Sequence, residues 1–212
     1  MATGEDGSAD SVAADAGAPD GSADKPTYYT FMPSPIGQLL LAGNKAALSL
    51  VGFSSGHKAR GADPNWERWD WPFARARQQL TEYFDGTRKV FELDLAPAAT
   101  PFQSRVLAEL VEIPYGETTT YLDIAKTLGN PKASRAVGLA NGNNPIPLII
   151  PCHRVIGSNG SLTGFGGGLP AKQYLLDFER ANSGLFANPA RSPASPREAE
   201  PESDPSAQEI SA

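Results

Sequence analysis

Cysteine is nearly missing from these 212 residues: there is one, Cys152. A lone thiol excludes an internal disulfide and a cysteine-rich zinc cluster, and it points to a reducing compartment, the cytoplasm. Histidine is almost as scarce. With only His57 and His153 beside that cysteine, soft ligands are too few for an ordinary zinc site, so no metal and no other cofactor is expected. Long apolar runs are absent too, none approaching the roughly 20 residues of a membrane span. Residues 1–26 lack the charged-then-apolar layout of a secretory signal, and the expectation is a soluble, intracellular chain with no membrane contact.

Positive charge looks short, at a net −6, but the deficit sits at the two ends. Residues 1–25 hold six acids and one base, and residues 187–212 hold five acids and two bases. Both ends are rich in Ala, Gly, Ser, Asp, Pro and Glu without apolar periodicity, and are expected to be disordered tails. What lies between, 26–186, is close to +2, which permits a nucleic-acid partner without demanding one.

What is present falls into two parts. From 26 to 99 strands and turns dominate. "QLLLA" and "AALSLVGF" around "GNK" predict a hairpin. "WPFARARQQLTEYFDG" predicts a helix with Phe73, Ala76, Leu80 and Phe84 on one face and Asp85-Gly86 as its stop. "VFELDL" alternates as a strand with Phe91, Leu93 and Leu95 on one side. His57, in the polar loop "SSGHKARGAD", reads as a solvated loop residue, and no chemical constellation stands out in this part.

From 100 to 186 helices dominate. Thr100-Pro101 is a cap followed by proline at the first helical position, opening a helix that should bury Phe102, Val106, Leu110 and Val111. "TYLDIAKTL", capped by Thr120 with Asp123 three residues on, ends at Gly129. "PKASRAVGLANG" begins at Asn130-Pro131. Two short helices about a tight turn outline a helix-turn-helix, or an ordinary helical hairpin. The second helix offers Lys132 and Arg135 among Ala133, Ala136, Gly138 and Ala140. Small residues let a helix lie close to a duplex while reading few base edges, so any DNA binding should rest on shape and phosphates, with little sequence specificity.

"NNPIPLIIPCHRV" predicts a short apolar strand delivering Cys152 and His153. A buried cysteine is commonly an inert core residue. A neighbouring base makes a thiol a nucleophile, although strand neighbours point opposite ways, so a turn and a bridging water would be needed. Glu179 in "YLLDFERA" could orient the imidazole, or be a solvated helix residue. A cysteine hydrolase would use the same three groups, and a plain DNA-binding regulator would use only the helix pair.

"IPCHRVI", with "FQSRVLAELVEIPYGETTTYLDIAKTLGNPKASRAVGLANGNNP" before it and "GFGGGLPAKQYLLDFE" after it, resembles the O6-alkylguanine-DNA alkyltransferases, the methylated-DNA–protein-cysteine methyltransferases. The resemblance implies an α+β fold: a small RNase H-like N-terminal domain (26–99), then a mainly helical alkyltransferase domain (100–186) with a helix-turn-helix. It implies a monomer that binds double-stranded DNA carrying O6-alkylguanine or O4-alkylthymine and takes the alkyl group onto itself once, without regeneration. Cys152 would be the acceptor, His153 its water-bridged base, and Glu179 the carboxylate behind that base. Asn144 would brace the turn before the cysteine. Tyr121 would donate a proton to the guanine ring and help rotate the nucleotide out. Arg135 would fill the gap in the duplex, with Tyr121, Ala136 and Gly138 also against DNA. Pro147, Val155, Phe165, Gly166 and Gly167 would form the substrate pocket. Phe165 stands where some members carry tyrosine, and Gly166 where some carry a side-chain donor, so recognition of the base would lean on backbone N–H groups.

Overall fold

The two apolar runs around "GNK" pair as their pattern predicts. In the computed structural model, which describes residues 26–184, β2 (Leu39–Gly43) and β3 (Leu48–Phe53) form an antiparallel hairpin. β1 (Tyr28–Met32) pairs antiparallel with β2 and β4 (Glu67–Arg68) parallel with β1, giving the order β3-β2-β1-β4. Alternation along β2 sends Leu39 and Leu41 into the main core and Leu40 and Ala42 into a smaller cluster with Leu50. The expected acidic ends, 1–25 and 187–212, lie outside the described residues.

α1 (Ala74–Phe84) follows a single turn at Trp71–Phe73. Its buried stripe is Phe73, Ala76, Leu80 and Tyr83, and Phe84 is only half-buried. A tyrosine can take the inner position because its hydroxyl finds a buried acceptor, described below. "VFELDL" is not a regular strand. Phe91, Leu93 and Leu95 do turn toward the core, but Gln79 of α1 occupies both backbone groups of Glu92, donating to its carbonyl (3.0 Å) and accepting from its N–H (2.8 Å). Only Leu48 ties the segment to the sheet, through Asp94 and Ala96.

The helical part opens with α2 (Pro101–Val111), capped by Thr100 in a full capping box with Gln103. It buries Val106, Leu107 and Leu110, whereas Val111 is 54% exposed, since 106, 107 and 110 already fill the inward stripe. β5 (Thr119–Thr120) leads into α3 (Tyr121–Thr127), capped by Thr120 through the Asp123 N–H. Gly129, at φ 79°, makes the turn, and after a short 3-10 turn at Pro131–Ala133 comes α4 (Ser134–Gly142). β6 (Val155–Ile156) pairs in parallel with β5. α5 (Leu169–Asn182) closes the fold, its buried face packed on the common core.

Candidate active site

The segment before the cysteine is a coil of turns and not the strand its apolar content predicts. Pro145 and Pro147 supply no N–H for a ladder, and Leu148 sits at φ 75°, a left-handed conformation uncommon for any residue but glycine. Asn144 holds the coil closed: its amide donates to the Ile150 carbonyl at 2.7 Å and its carbonyl accepts the Ile146 N–H at 3.0 Å. The chain then enters a 3-10 turn at Cys152–Arg154. That turn removes the opposition of strand neighbours and buries all three side chains.

Behind the turn lies a charged network. His153 Nε2 is 2.9 Å from Glu179 Oε1. The same carboxylate accepts from Tyr83 Oη (2.8 Å), the Gly116 N–H (3.1 Å), and Arg154 through Nε (2.8 Å) and Nη2 (2.9 Å). Arg154 Nη1 also donates to the Ile113 carbonyl at 2.6 Å. Burial alone would raise the Glu179 carboxyl, but the hydrogen bonds and charges of His153 and Arg154 outweigh it and hold the group down at about 2. An ionised carboxylate can only accept. His153 therefore carries its N–H on Nε2 and its lone pair on Nδ1. That Nδ1 is buried and has no hydrogen-bond partner among the described residues. Burial lowers the imidazole's pKa, with Glu179 pulling the other way, so the ring rests neutral and able to accept a proton.

The thiol faces a different setting. Burial pushes Cys152 up to about 11, opposed by a hydrogen bond from Asn144 and the charge of Lys172. Lys172 is itself wholly buried. Its ammonium donates to the carbonyls of Val155 (2.6 Å) and Thr163 (3.1 Å). Lys172 and Glu179 are seven residues apart on α5, two turns along one face, so one helix serves both the cysteine and the histidine. A neutral thiol and, on the next residue, a neutral imidazole with an open lone pair are the groups that base-assisted nucleophilic chemistry requires.

Cys152 lines a cleft of about 100 Å³ together with Asn144, Pro147, Phe165 and Gly166 of the helical part and Val51, Phe53, Lys58 and Arg60 of the N-terminal part. Gly167 and Val155 do not line it. Gly167 lies behind, where an added Cβ would meet the Phe53 and Phe165 rings at 3.1–3.2 Å, and Val155 is fully buried as a carbonyl acceptor for Lys172. A wider outer hollow of about 460 Å³ shares Lys58, Gly142 and Gly164–Gly166 with the cleft and adds His57, Tyr121, Gly138 and Thr163.

The β5–β6 ladder brings Tyr121 to this mouth, since β5 ends at Thr120, just before Tyr121, and β6 begins at Val155, just past the Cys152–Arg154 turn. Tyr121 Oη is 2.7 Å from Thr163 Oγ1, and burial raises its phenol above the ordinary value, so it stays protonated. Its ring packs over Gly138, 3.7 Å from where a Cβ would be, an ordinary van der Waals contact. Arg135 and Ala136 are exposed on α4, and the Arg135 guanidinium makes no hydrogen bond or ion pair with any described residue.

The structure thus gathers Cys152, His153, Glu179, Asn144 and Tyr121 around one centre. Tyr83, Gly116, Arg154, Lys172 and Lys58 belong to it as well, and none of them was singled out from the sequence. Arg154 alone carried a local signal, an arginine fixed next to the Cys-His pair. No group of three or more metal-ligating side chains gathers among the described residues, and no described helix is long and apolar enough to cross a membrane.

Two family descriptions match the chain: "6-O-methylguanine DNA methyltransferase, ribonuclease-like domain" over residues 27–97 and "6-O-methylguanine DNA methyltransferase, DNA binding domain" over 101–181. The methylated-DNA–protein-cysteine methyltransferase of Methanosarcina acetivorans is 53% identical over 152 residues, 72% of this chain and 97% of that protein. Its counterpart from Mycobacterium tuberculosis is 44% identical over 156 residues, covering 74% and 94%. The crystal structure of Mycobacterium tuberculosis OGT in complex with DNA superposes with a TM-score of 0.69 at 44% identity, over 73% of this chain and 94% of that one.

Proposed function

The chain belongs to the 6-O-methylguanine DNA methyltransferase family, and from that premise we propose which residues carry out its reaction. It repairs DNA by transferring an alkyl group to its own cysteine, Cys152. The observation that carries the assignment is the buried His153, next in the chain to Cys152: Nε2 is held by an ionised Glu179 and Nδ1 is unpartnered among the described residues.

The substrate is O6-alkylguanine in double-stranded DNA, with O4-alkylthymine as a second base. α4 enters the duplex, and its run of small residues lets it lie close while reading little sequence. The lesion must leave the stack to reach a cysteine that is 95% buried, at a cost of a few kcal/mol. Arg135, unpartnered and exposed, takes the vacated place, and Ala136 and Gly138 allow the backbone to approach.

His153 Nδ1 then receives the thiol proton, directly or through a water. The sulfur attacks the alkyl carbon, a C–S bond forms, and the carbon–O6 bond breaks. The electron pair leaves on the base, which is neutralised by the Tyr121 phenol proton; His153 then gives its extra proton to solvent and Tyr121 takes one back, with no net proton consumed. Asn144 keeps the coil and the thiol in place. Pro147, Phe165 and Gly166 flank the alkyl group, and Val155 and Gly167 support that wall from behind. The product is a thioether with no carbonyl for water to attack, so each chain acts once. Residues 26–99 and 100–186 act together as one monomer, and a working free thiol suits the reducing cytoplasm.

Titration of a fixed amount of protein with a duplex carrying O6-methylguanine tests this. Restored guanine should plateau at one per chain. Cys152→Ala should restore none while still binding the duplex. Continued turnover, or transfer by Cys152→Ala, contradicts the assignment.

A further inference from the structure

The loop that reads as an ordinary polar connection, "SSGHKARGAD", forms one wall of the Cys152 cleft. It is pressed backbone to backbone on the strap formed by Gly164–Gly168: a Cβ at Gly56 (φ 94°) would lie 2.6 Å from the Gly167 carbonyl carbon and 2.7 Å from Gly166 O. The Lys58 N–H donates to the Gly166 carbonyl at 3.1 Å. Its side chain crosses to the C-terminus of α4, where Nζ donates to the Gly142 carbonyl and, at 2.8 Å, to Asn143 Oδ1. A cation on the last carbonyls of a helix is favourably placed. Lys58 therefore bonds to both the strap and α4, the elements framing the cleft, and it lines both the cleft and the outer hollow.

Resting on the reading of Cys152 as alkyl acceptor, we propose that Lys58 is a specificity-determining residue: by tying the 54–60 loop across the cleft, it limits the size of O6 substituent that reaches the sulfur. Its side chain lines the same cleft as Pro147 and Cys152, and its ammonium ties that part of the wall to the end of α4. Without the tie, the inner cleft and outer hollow merge on the side where a large substituent must lie. A small group loses its enclosure and a large one gains room, so the two substrates respond in opposite directions. The Lys58 side chain is exposed, and its removal leaves the core intact.

Single-turnover transfer is measured with one duplex sequence carrying either O6-methylguanine or O6-benzylguanine, for wild type, Lys58→Ala and Lys58→Arg. The benzyl-to-methyl ratio of rate constants should rise about tenfold in Lys58→Ala, the scale on which pocket volume discriminates apolar groups. Lys58→Arg, which can still reach the α4 carbonyls, should return the ratio toward wild type. A ratio unchanged in Lys58→Ala, with both rates lowered together, assigns Lys58 to structure alone and overturns the proposal. Should Lys58→Ala fail to fold, Lys58→Met keeps the stem and loses the tie, and the same rise or its absence decides. No transfer at all from the wild type overturns both readings; transfer with an unchanged ratio overturns only that of Lys58.

Discussion

The two sides of the Cys152–His153 turn are built on opposite principles. Behind it, five donors converge on the two oxygens of Glu179, so every group is paired and fixed. In front of it, the cleft is bounded by glycines, prolines, aromatic rings and the side chains of Asn144, Lys58 and Arg60, with the Cys152 thiol on its wall, and His153 Nδ1 has no hydrogen-bond partner among the described residues. A buried unpaired acceptor costs free energy, and the saturated side is what holds it in position. The rigid half sets the tautomer, and the permissive half admits the base.

The largest loss should come from breaking the saturated side at its centre. Glu179→Gln removes the charge that three cationic or hydrogen-bonding side chains were arranged around. Transfer should slow by roughly 10²–10⁴-fold, the range associated with general-base help, when single-turnover rates are measured on folded protein. Stability should fall by about 3–5 kcal/mol, because Arg154 is left as a buried charge without its partner. The pH dependence has a definite sign. The folded-state pKa of Glu179 is depressed to about 2, so its stabilisation, about 3 kcal/mol, is present above the ordinary carboxylate range and lost as pH falls toward 2. Acid titration of thermal unfolding should show that loss in the wild type and a flatter profile in Glu179→Gln. An unchanged transfer rate would mean that the network is scaffolding only.

Arg135→Ala acts in front, on the duplex and not on the chemistry. Repair of O6-methylguanine in duplex DNA should drop by roughly ten- to a hundredfold, in line with the few kcal/mol needed to extrude a base. Transfer from the free base should hardly change. Equal losses on both substrates would make Arg135 a structural residue of α4.

The smallest effect should follow Tyr83→Phe. It deletes one of five donors to the carboxylate, and a hydrogen bond to a charged group is worth about 1.5–3 kcal/mol. Thermal denaturation should register that loss. Transfer should fall less than tenfold, since His153 keeps its own contact with Glu179. A larger kinetic loss than in Glu179→Gln would invert the ranking of the network.

Much of the front could be read from the sequence, because its parts are local. Cys152, His153 and the bracing Asn144 fall within ten residues, and the caps at Thr120 and Asn130 declare the starts of the segments that hold Tyr121 and Arg135. The back could not. Tyr83 meets Glu179 across 96 positions and Gly116 across 63, and no period in the chain links them. Amphipathic spacing put Phe84 inward, where α1 turns Tyr83 toward a buried carboxylate. Apolar content made 146–150 a strand, where two prolines and the Asn144 amide impose a coil. Loop 54–60 gave no signal at all: its role depends on which surface folds against Gly166 and α4, and that is settled only by tertiary packing.

Transfer ends with the alkyl carbon on the Cys152 sulfur. Wild-type protein mixed with a duplex carrying one isotopically labelled O6-methylguanine, then digested and mapped by mass spectrometry, reads that directly. One labelled methyl per chain, on the Cys152 peptide alone and with intact guanine restored in the DNA, is the expected result. Label released as methanol, or found on any other residue, would contradict it.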